Sequence, residues 1–124
     1  MIPRLIYTDP KLASVGRSAE ERAAAHSSFE TLTVDIQDNV RTICQSDQRG
    51  FARVHYGEGG RPLGATIVAT EAGELLSGLT LAMTHNLSLG DIADTIFPYL
   101  SRSELLKRLG DSYNRRRRTP TAAI

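Results

Sequence analysis

Apolar and polar residues alternate along two stretches of the chain and recur at helical spacing along two others. From Glu30 to Gln37, Leu32, Val34 and Ile36 fall on one side and Thr31, Thr33 and Asp35 on the other. A period of two marks a strand with one face buried. Phe51-Ala52-Arg53-Val54-His55-Tyr56 alternates again, which makes it the natural hairpin partner. Asp38-Asn39 and Ser46-Asp47-Gln48-Arg49-Gly50 read as turns, with Val40 to Gln45 open between a helical turn and a strand edge. Gly57-Glu58-Gly59-Gly60-Arg61-Pro62 is the clearest loop, and Leu63 to Ala69 follows as a strand apolar on both faces. Nearer the start, Arg4 to Thr8 reads as a strand ending at Asp9-Pro10, and Ala13 to Gly16 as a short second one.

The helical spacing is clearest at Leu75, Leu76, Leu79 and Met83, in a helix predicted to start at a Thr70 cap and run to about Thr84. Gly73 and Gly78 each cost it about 1 kcal/mol relative to Ala but allow close approach of a neighbour. Asn86 suits the residue that closes a helix. Ser88-Leu89-Gly90-Asp91 opens a short helix to about Thr95, and Leu105, Leu106, Leu109 and Tyr113 predict a last one from Ser103 to about Asn114. Ser18-x-x-Glu21 has the form of a capping box before an Ala-rich surface helix to about His26. Strands and helices that do not alternate as βαβ units predict an α+β fold, a mostly antiparallel sheet with helices packed on one face.

Composition narrows the function classes. With 124 residues the chain is one domain, read as 1–114 with a basic flexible tail over 115–124. No apolar run approaches the roughly 20 residues of a membrane helix, so no membrane partner is expected. A formal net charge of +1 gives no general affinity for polyanions. The run Arg115-Arg116-Arg117-Arg118 is short and has no interleaved aromatics, so no nucleic-acid partner is expected from it either. It reads as cations welcome at a helix C-terminus, continuing into a solvated tail. One cysteine, Cys44, excludes an internal disulfide or a Cys-x-x-Cys redox pair and suits the cytoplasm. Its neighbours Arg41 and Arg49 can activate a thiol, but a small half-buried residue is the simpler reading.

Candidate chemistry concentrates in Thr95-Ile96-Phe97-Pro98-Tyr99-Leu100-Ser101-Arg102-Ser103-Glu104. Pro98 restricts Phe97 to extended geometry and ends any preceding helix. Ser101-x-x-Glu104 is a second capping-box pattern, and it leaves Tyr99 presented on a bend just before a helix. On residues alone, Glu104 caps its helix and Tyr99 packs its ring; the competing reading puts both in an active site. Elsewhere the signals are weaker. No Gly-x-Gly-x-x-Gly follows a strand, and Gly57-x-Gly-Gly precedes Arg-Pro, which is hairpin chemistry. No nucleotide cofactor is therefore expected in this chain. His26, His55 and His85 lack ligand spacing, so no metal site is expected; His55 reads as a strand surface residue, His26 and His85 as helix-end residues.

Three ordered blocks resemble the C-terminal interface, or dimerisation, domain of the FAD-dependent pyridine nucleotide-disulfide oxidoreductases. Ile2 to Gly16, with Tyr7-Thr8-Asp9-Pro10 and Ser14-Val15-Gly16, is similar to the family's opening. Leu63-Gly64-Ala65-Thr66-Ile67-Val68 with Ala72-Gly73-Glu74 is similar to its central block. In the third block, Tyr99 stands where the family's His-Pro-Thr-x-x-Glu motif has its His, Leu100 replaces the Pro, and Glu104 keeps the acid's spacing. Phe97-Pro98-Tyr99-Leu100 resembles the mercuric reductase-like form rather than the dihydrolipoamide dehydrogenase-like one.

The resemblance implies a homodimer in which this domain completes the partner subunit's active site. It implies FAD- and NAD(P)-binding domains ahead of this region, and no redox activity from this part alone. The alternative is a stand-alone small-molecule-binding or regulatory homodimeric domain without redox chemistry. A phenol, with a pKa near about 10, is a poor base at neutral pH, so Tyr99 argues against ordinary dithiol exchange. The mercuric reductase-like form implies a metal-handling role for Tyr99 instead. Those reductases carry adjacent cysteines in the tail, whereas Asn114 to Ile124 has none, so the substrate stays open. The leucine stripe from Leu75 to Met83 and the Leu105–Tyr113 helix are the expected interface.

Overall fold

The computed structural model describes residues 2–8, 10–24, 28–35, 50–98 and 103–118. Five strands, β1 (Arg4–Ile6), β2 (Lys11–Gly16), β3 (Glu30–Asp35), β4 (Phe51–Tyr56) and β5 (Pro62–Ala69), form one sheet in the order β1-β2-β5-β4-β3. Every neighbouring pair is antiparallel. The helices are α1 (Ala19–Ala24), α2 (Ala72–Thr84), α3 (Leu89–Ala93) and α4 (Glu104–Arg118). The sheet is thus the predicted antiparallel one, with α2, α3 and α4 gathered on one side. α2 lies on β2 and β5, α4 reaches β3, and α3 packs on α4.

The alternation explains this arrangement. Leu32 and Val34 of β3, Ala52, Val54 and Tyr56 of β4, and Ala65, Ile67 and Ala69 of β5 all point to the helical side and are buried. Leu75, Leu76, Leu79 and Met83 of α2 and Leu105, Leu109 and Tyr113 of α4 meet them in a single core. The hairpin expected between the two alternating stretches is present, with Leu32 opposite Val54 and Val34 opposite Ala52. Ile36 and the segment from Gln37 to Arg49, which holds Cys44, lie outside the described residues, as do His26 and the residues beyond Arg118.

Several boundaries differ from the sequence expectation. β1 stops at Ile6, and β2 begins at Lys11, where Lys11 and Leu12 extend its pairing with β5. The N-cap of α2 is Glu71 rather than Thr70, and the Glu71 side chain makes no capping hydrogen bond. α4 continues past Asn114 to Arg118 because its last turn is held. Arg116 donates to the Thr31 carbonyl oxygen at 2.9 Å and to the Tyr56 hydroxyl at 3.3 Å. The Arg117 guanidinium sits 5.6 Å from the Tyr113 ring centre, and Tyr113 meets Tyr56 edge-on at 5.2 Å. Gly60 in the β4–β5 turn has φ 75° and admits that ring; a Cβ there would stand 2.5 Å from Tyr113 Cζ. Arg116, though exposed, therefore ties α4 to the sheet, while Arg117 packs along its own helix on Tyr113.

Candidate functional site

Pro98 follows α3 and Glu104 opens α4, and the described residues on each side of the expected bend are fixed by local chemistry. α2 ends at Thr84 with His85 as its cap, and Asn86 just beyond takes φ 57°. Its N–H reaches the Met83 carbonyl at 3.4 Å while Leu87 N–H reaches Ala82 at 2.8 Å, the paired bonds of a left-handed helix stop. Ser88 then opens α3 with a full capping box: its hydroxyl accepts from Asp91 N–H at 3.1 Å, and the Asp91 carboxylate accepts from Ser88 N–H at 2.9 Å. Past Ala93 the chain leaves α3 through Asp94 and Thr95, whose N–H groups still bond back to Gly90 and Ile92. Phe97, partly buried, packs against the core in the non-helical stretch expected of a residue before proline, and Pro98 follows outside any helix.

The far arm is tied back to the near one. Lys107 donates to the Ala93 carbonyl at 2.9 Å and faces Asp111 at 3.5 Å. Gly110 abuts α3 so tightly that only a residue without a Cβ fits. Glu104 is the first residue of α4, where a carboxylate is favoured by the helix dipole. Tyr99 and Ser101 lie outside the described residues, so the structure positions Glu104 and both arms of the bend but not the phenol or the Ser101 side of the expected capping box.

Beside this bend lies an apolar groove of about 230 Å³, whose walls include Leu81, Leu87, Ile92 and Phe97. Leu81 is 59% exposed, Leu87 41% and Ile96 94%. The expected interface material is elsewhere. Leu75, Leu79, Leu105 and Leu109 are each at most 3% exposed, because residues at that spacing share the helix face turned to the sheet. The glycines of α2 serve the same core: a Cβ on Gly78 would meet Leu106 Cδ1 at 2.6 Å, and one on Gly73 would meet Leu5 Cδ2 at 3.0 Å. The interface expectation therefore fails for those leucines. The signal that marks the exposed set was present in the sequence, since Leu81 falls two residues after Leu79, out of phase with the buried stripe.

Other candidates sort themselves. His55, expected on a strand surface, is 5% exposed on the sheet face away from α2. Its Nδ1 shares a 2.8 Å hydrogen bond with the Thr31 hydroxyl, and Phe29 meets its ring edge-on. His85 occupies the end of α2 as expected. Among the described residues no group of three His, Cys, Asp or Glu side chains can hold a metal ion, and no helix is long and apolar enough to cross a membrane. The glycine-rich turn, Gly57 to Gly60, joins two antiparallel strands and so cannot cradle a dinucleotide the way a strand-to-helix turn does. That turn is not one that fits the pyrophosphate of FAD or NAD(P).

Comparison with known proteins agrees with the geometry. The family described as pyridine nucleotide-disulphide oxidoreductase, dimerisation domain, matches residues 2–109. Mercuric reductase from Shigella flexneri is 36% identical over 117 residues, covering 92% of this chain and 20% of that protein. Dihydrolipoyl dehydrogenase from Trypanosoma brucei brucei is 34% identical over 108 residues, covering 86% of this chain and 22% of that protein. The chain thus spans about a fifth of the length of the curated relatives it matches. Among solved structures, LpdA from Mycobacterium tuberculosis superposes with a TM-score of 0.83 at 21% identity, over 90% of this chain and 25% of that one. The Cu(II) complex of the HOCl-induced flavoprotein disulfide reductase RclA from Escherichia coli gives 0.83 at 23% identity, over 90% and 25%.

Proposed function

From the fact that this chain belongs to the dimerisation-domain family of the pyridine nucleotide-disulphide oxidoreductases, in mercuric reductase-like form, we propose that it pairs with a second copy and completes that copy's active site. In this reading the electrons move through FAD- and NAD(P)-binding units of a longer cytoplasmic polypeptide. This domain contributes shape and the phenol of Tyr99. Its hydroxyl can donate or accept one hydrogen bond beside a thiolate or a thiolate-bound soft metal ion in the partner subunit. Glu104 serves first as the acid at the start of α4.

One observation carries the pairing: Leu81, Leu87 and Ile96 are exposed together around the groove next to the bend. The leucines of the α2 and α4 core stripes are buried, so an exposed apolar cluster beside the bend is the kind of surface a second copy would cover. A two-fold contact there sets the Pro98–Glu104 bend at the subunit boundary, where a side chain must lie to serve a partner's site.

Sedimentation equilibrium of the chain tests the pairing. A concentration-dependent dimer is expected, and Leu81→Glu or Ile96→Asp shifts it to monomer with an unchanged circular dichroism spectrum. A monomer at all accessible concentrations counts against this face. For Tyr99, the test is Tyr99→Phe in the complete polypeptide, with loss of turnover expected at unchanged flavin content and melting temperature.

A further inference from the structure

The sheet face turned away from α2 carries chemistry that the dimer reading leaves unused. Strand register aligns Ser14, Thr66, Arg53 and Thr33 in one row across β2, β5, β4 and β3. The next row is Gly16, Gly64, His55 and Thr31. A Cβ on Gly64 would stand 2.3 Å from the Arg17 carbonyl oxygen, so the chain leaving β2 crosses the sheet over that glycine. The crossing brings Ser18 and Glu20 above the face. It leaves a concavity of about 580 Å³ lined by those two residues and by Thr33, Arg53, His55 and Thr66.

Arg53 is preset for recognition. Its Nε donates to the Thr33 hydroxyl at 3.1 Å and its guanidinium lies 4.9 Å from the Phe51 ring centre. These contacts fix the plane of the guanidinium, while its two terminal nitrogens have no partner among the described residues. A fixed, planar fork matches the two oxygens of a carboxylate or phosphate. The Thr66 hydroxyl lines the same concavity and adds a donor, whereas the Ser18 hydroxyl is engaged in a capping box with Glu21, and His55 is held in the wall by Thr31. Glu20 is exposed at the rim and opposes a negative ligand, which makes its removal informative.

We propose that this concavity is a binding site for a small oxyanion, a carboxylate or a phosphate, seated on Arg53 and the flanking hydroxyls. The proposal does not depend on the dimer reading, since the groove beside Leu81 lies on the other side of the sheet.

The test is a titration of the ¹⁵N-labelled chain, followed by amide shifts, with inorganic phosphate in one arm and malonate in the other. Chloride at matched ionic strength is the control. Saturable shifts at Thr33, Arg53 and Thr66 are expected, and the tighter arm identifies the ligand's source as phosphate or carboxylate. Arg53→Gln should weaken binding by about tenfold or more. Glu20→Gln should tighten it several-fold, as removal of a nearby like charge does. Thr66→Val, which keeps the side chain's shape, serves if Arg53→Gln fails to fold, and weaker binding is again expected. Shifts that rise linearly or match the chloride control overturn the proposal, and so does a folded Arg53→Gln or Thr66→Val variant that binds as the parent does.

Discussion

Gly110 lies against the backbone of Ala93: a Cβ on it would stand 2.6 Å from the Ala93 nitrogen and 2.7 Å from the Leu89 carbonyl oxygen. The obstacle is backbone on the opposing helix, not the end of a flexible side chain, so α3 and α4 must separate to admit even a methyl group. Gly110→Ala gains helix propensity, about 1 kcal/mol. Overpacking of about 1–3 kcal/mol opposes it, and the backbone contacts place this case at the upper end. A net loss of about 1–2 kcal/mol is expected, read as a lower urea midpoint at unchanged m-value. Because the contact sets the angle between the arms of the bend, the same variant should weaken pairing of two copies in sedimentation experiments.

Lys107 reaches both Ala93 and Asp111, and the two contacts have different worth. The hydrogen bond to the Ala93 carbonyl joins two helices at 2.9 Å and satisfies an acceptor at the end of α3. The Lys107–Asp111 pair is a spacing-of-four contact at 3.5 Å between half-exposed side chains, where water screens the attraction. Lys107→Met should therefore cost about 1 kcal/mol, and Asp111→Asn less than about 0.5 kcal/mol, in denaturant unfolding. An Asp111→Asn loss as large as that of Lys107→Met would move the weight to the ion pair.

Arg116 and Arg118 stand two residues apart in the same basic run and differ in the same way. Both are exposed, but Arg116 spans from α4 to the Thr31 carbonyl and the Tyr56 hydroxyl, and Arg118 makes no such bond among the described residues. Arg116→Ala should lower stability by about 1–2 kcal/mol and speed amide exchange in the last turn of α4. Arg118→Ala should stay within about 0.5 kcal/mol of the parent. Equal effects would mean that the run acts only through its total charge on the helix dipole.

Legibility in the sequence followed the range of the interactions. Strand faces and helix stripes are local, so the alternation from Leu32 to Val34 and the spacing from Leu75 to Met83 sufficed to predict which residues face the core. Asn86 and the Ser88–Asp91 box are also local and lie where their residue types suggest. Missed features depend on partners distant in sequence. Nothing near Arg116 announces Thr31, and nothing near His55 says that Thr31 and Phe29 will bury it. The leucines expected at an interface are core residues of this chain, because apolar spacing reports burial without saying whether the covering surface belongs to the same chain. The family likeness supplied what the pattern could not, from three short motifs matched within residues 2–109.

Gly78 provides the contrast to Gly110. A Cβ on it would meet Leu106 Cδ1 at 2.6 Å, the far end of a side chain that can rotate. Gly78→Ala also removes a flexible residue from the middle of α2, worth about 1 kcal/mol. The two effects are of similar size and opposite sign, so the single variant should lie within about 1 kcal/mol of the parent. Leu106→Val shortens the obstructing side chain and on its own should cost about 1 kcal/mol through lost burial. In combination the new methyl fills the space the leucine gave up, and the double variant should be more stable than the sum of the single changes by at least about 0.5 kcal/mol. A double-mutant cycle in urea measures that coupling. Additivity within error would show that Leu106 already swings clear of the methyl in Gly78→Ala, and that the helix packing here has more slack than at Gly110.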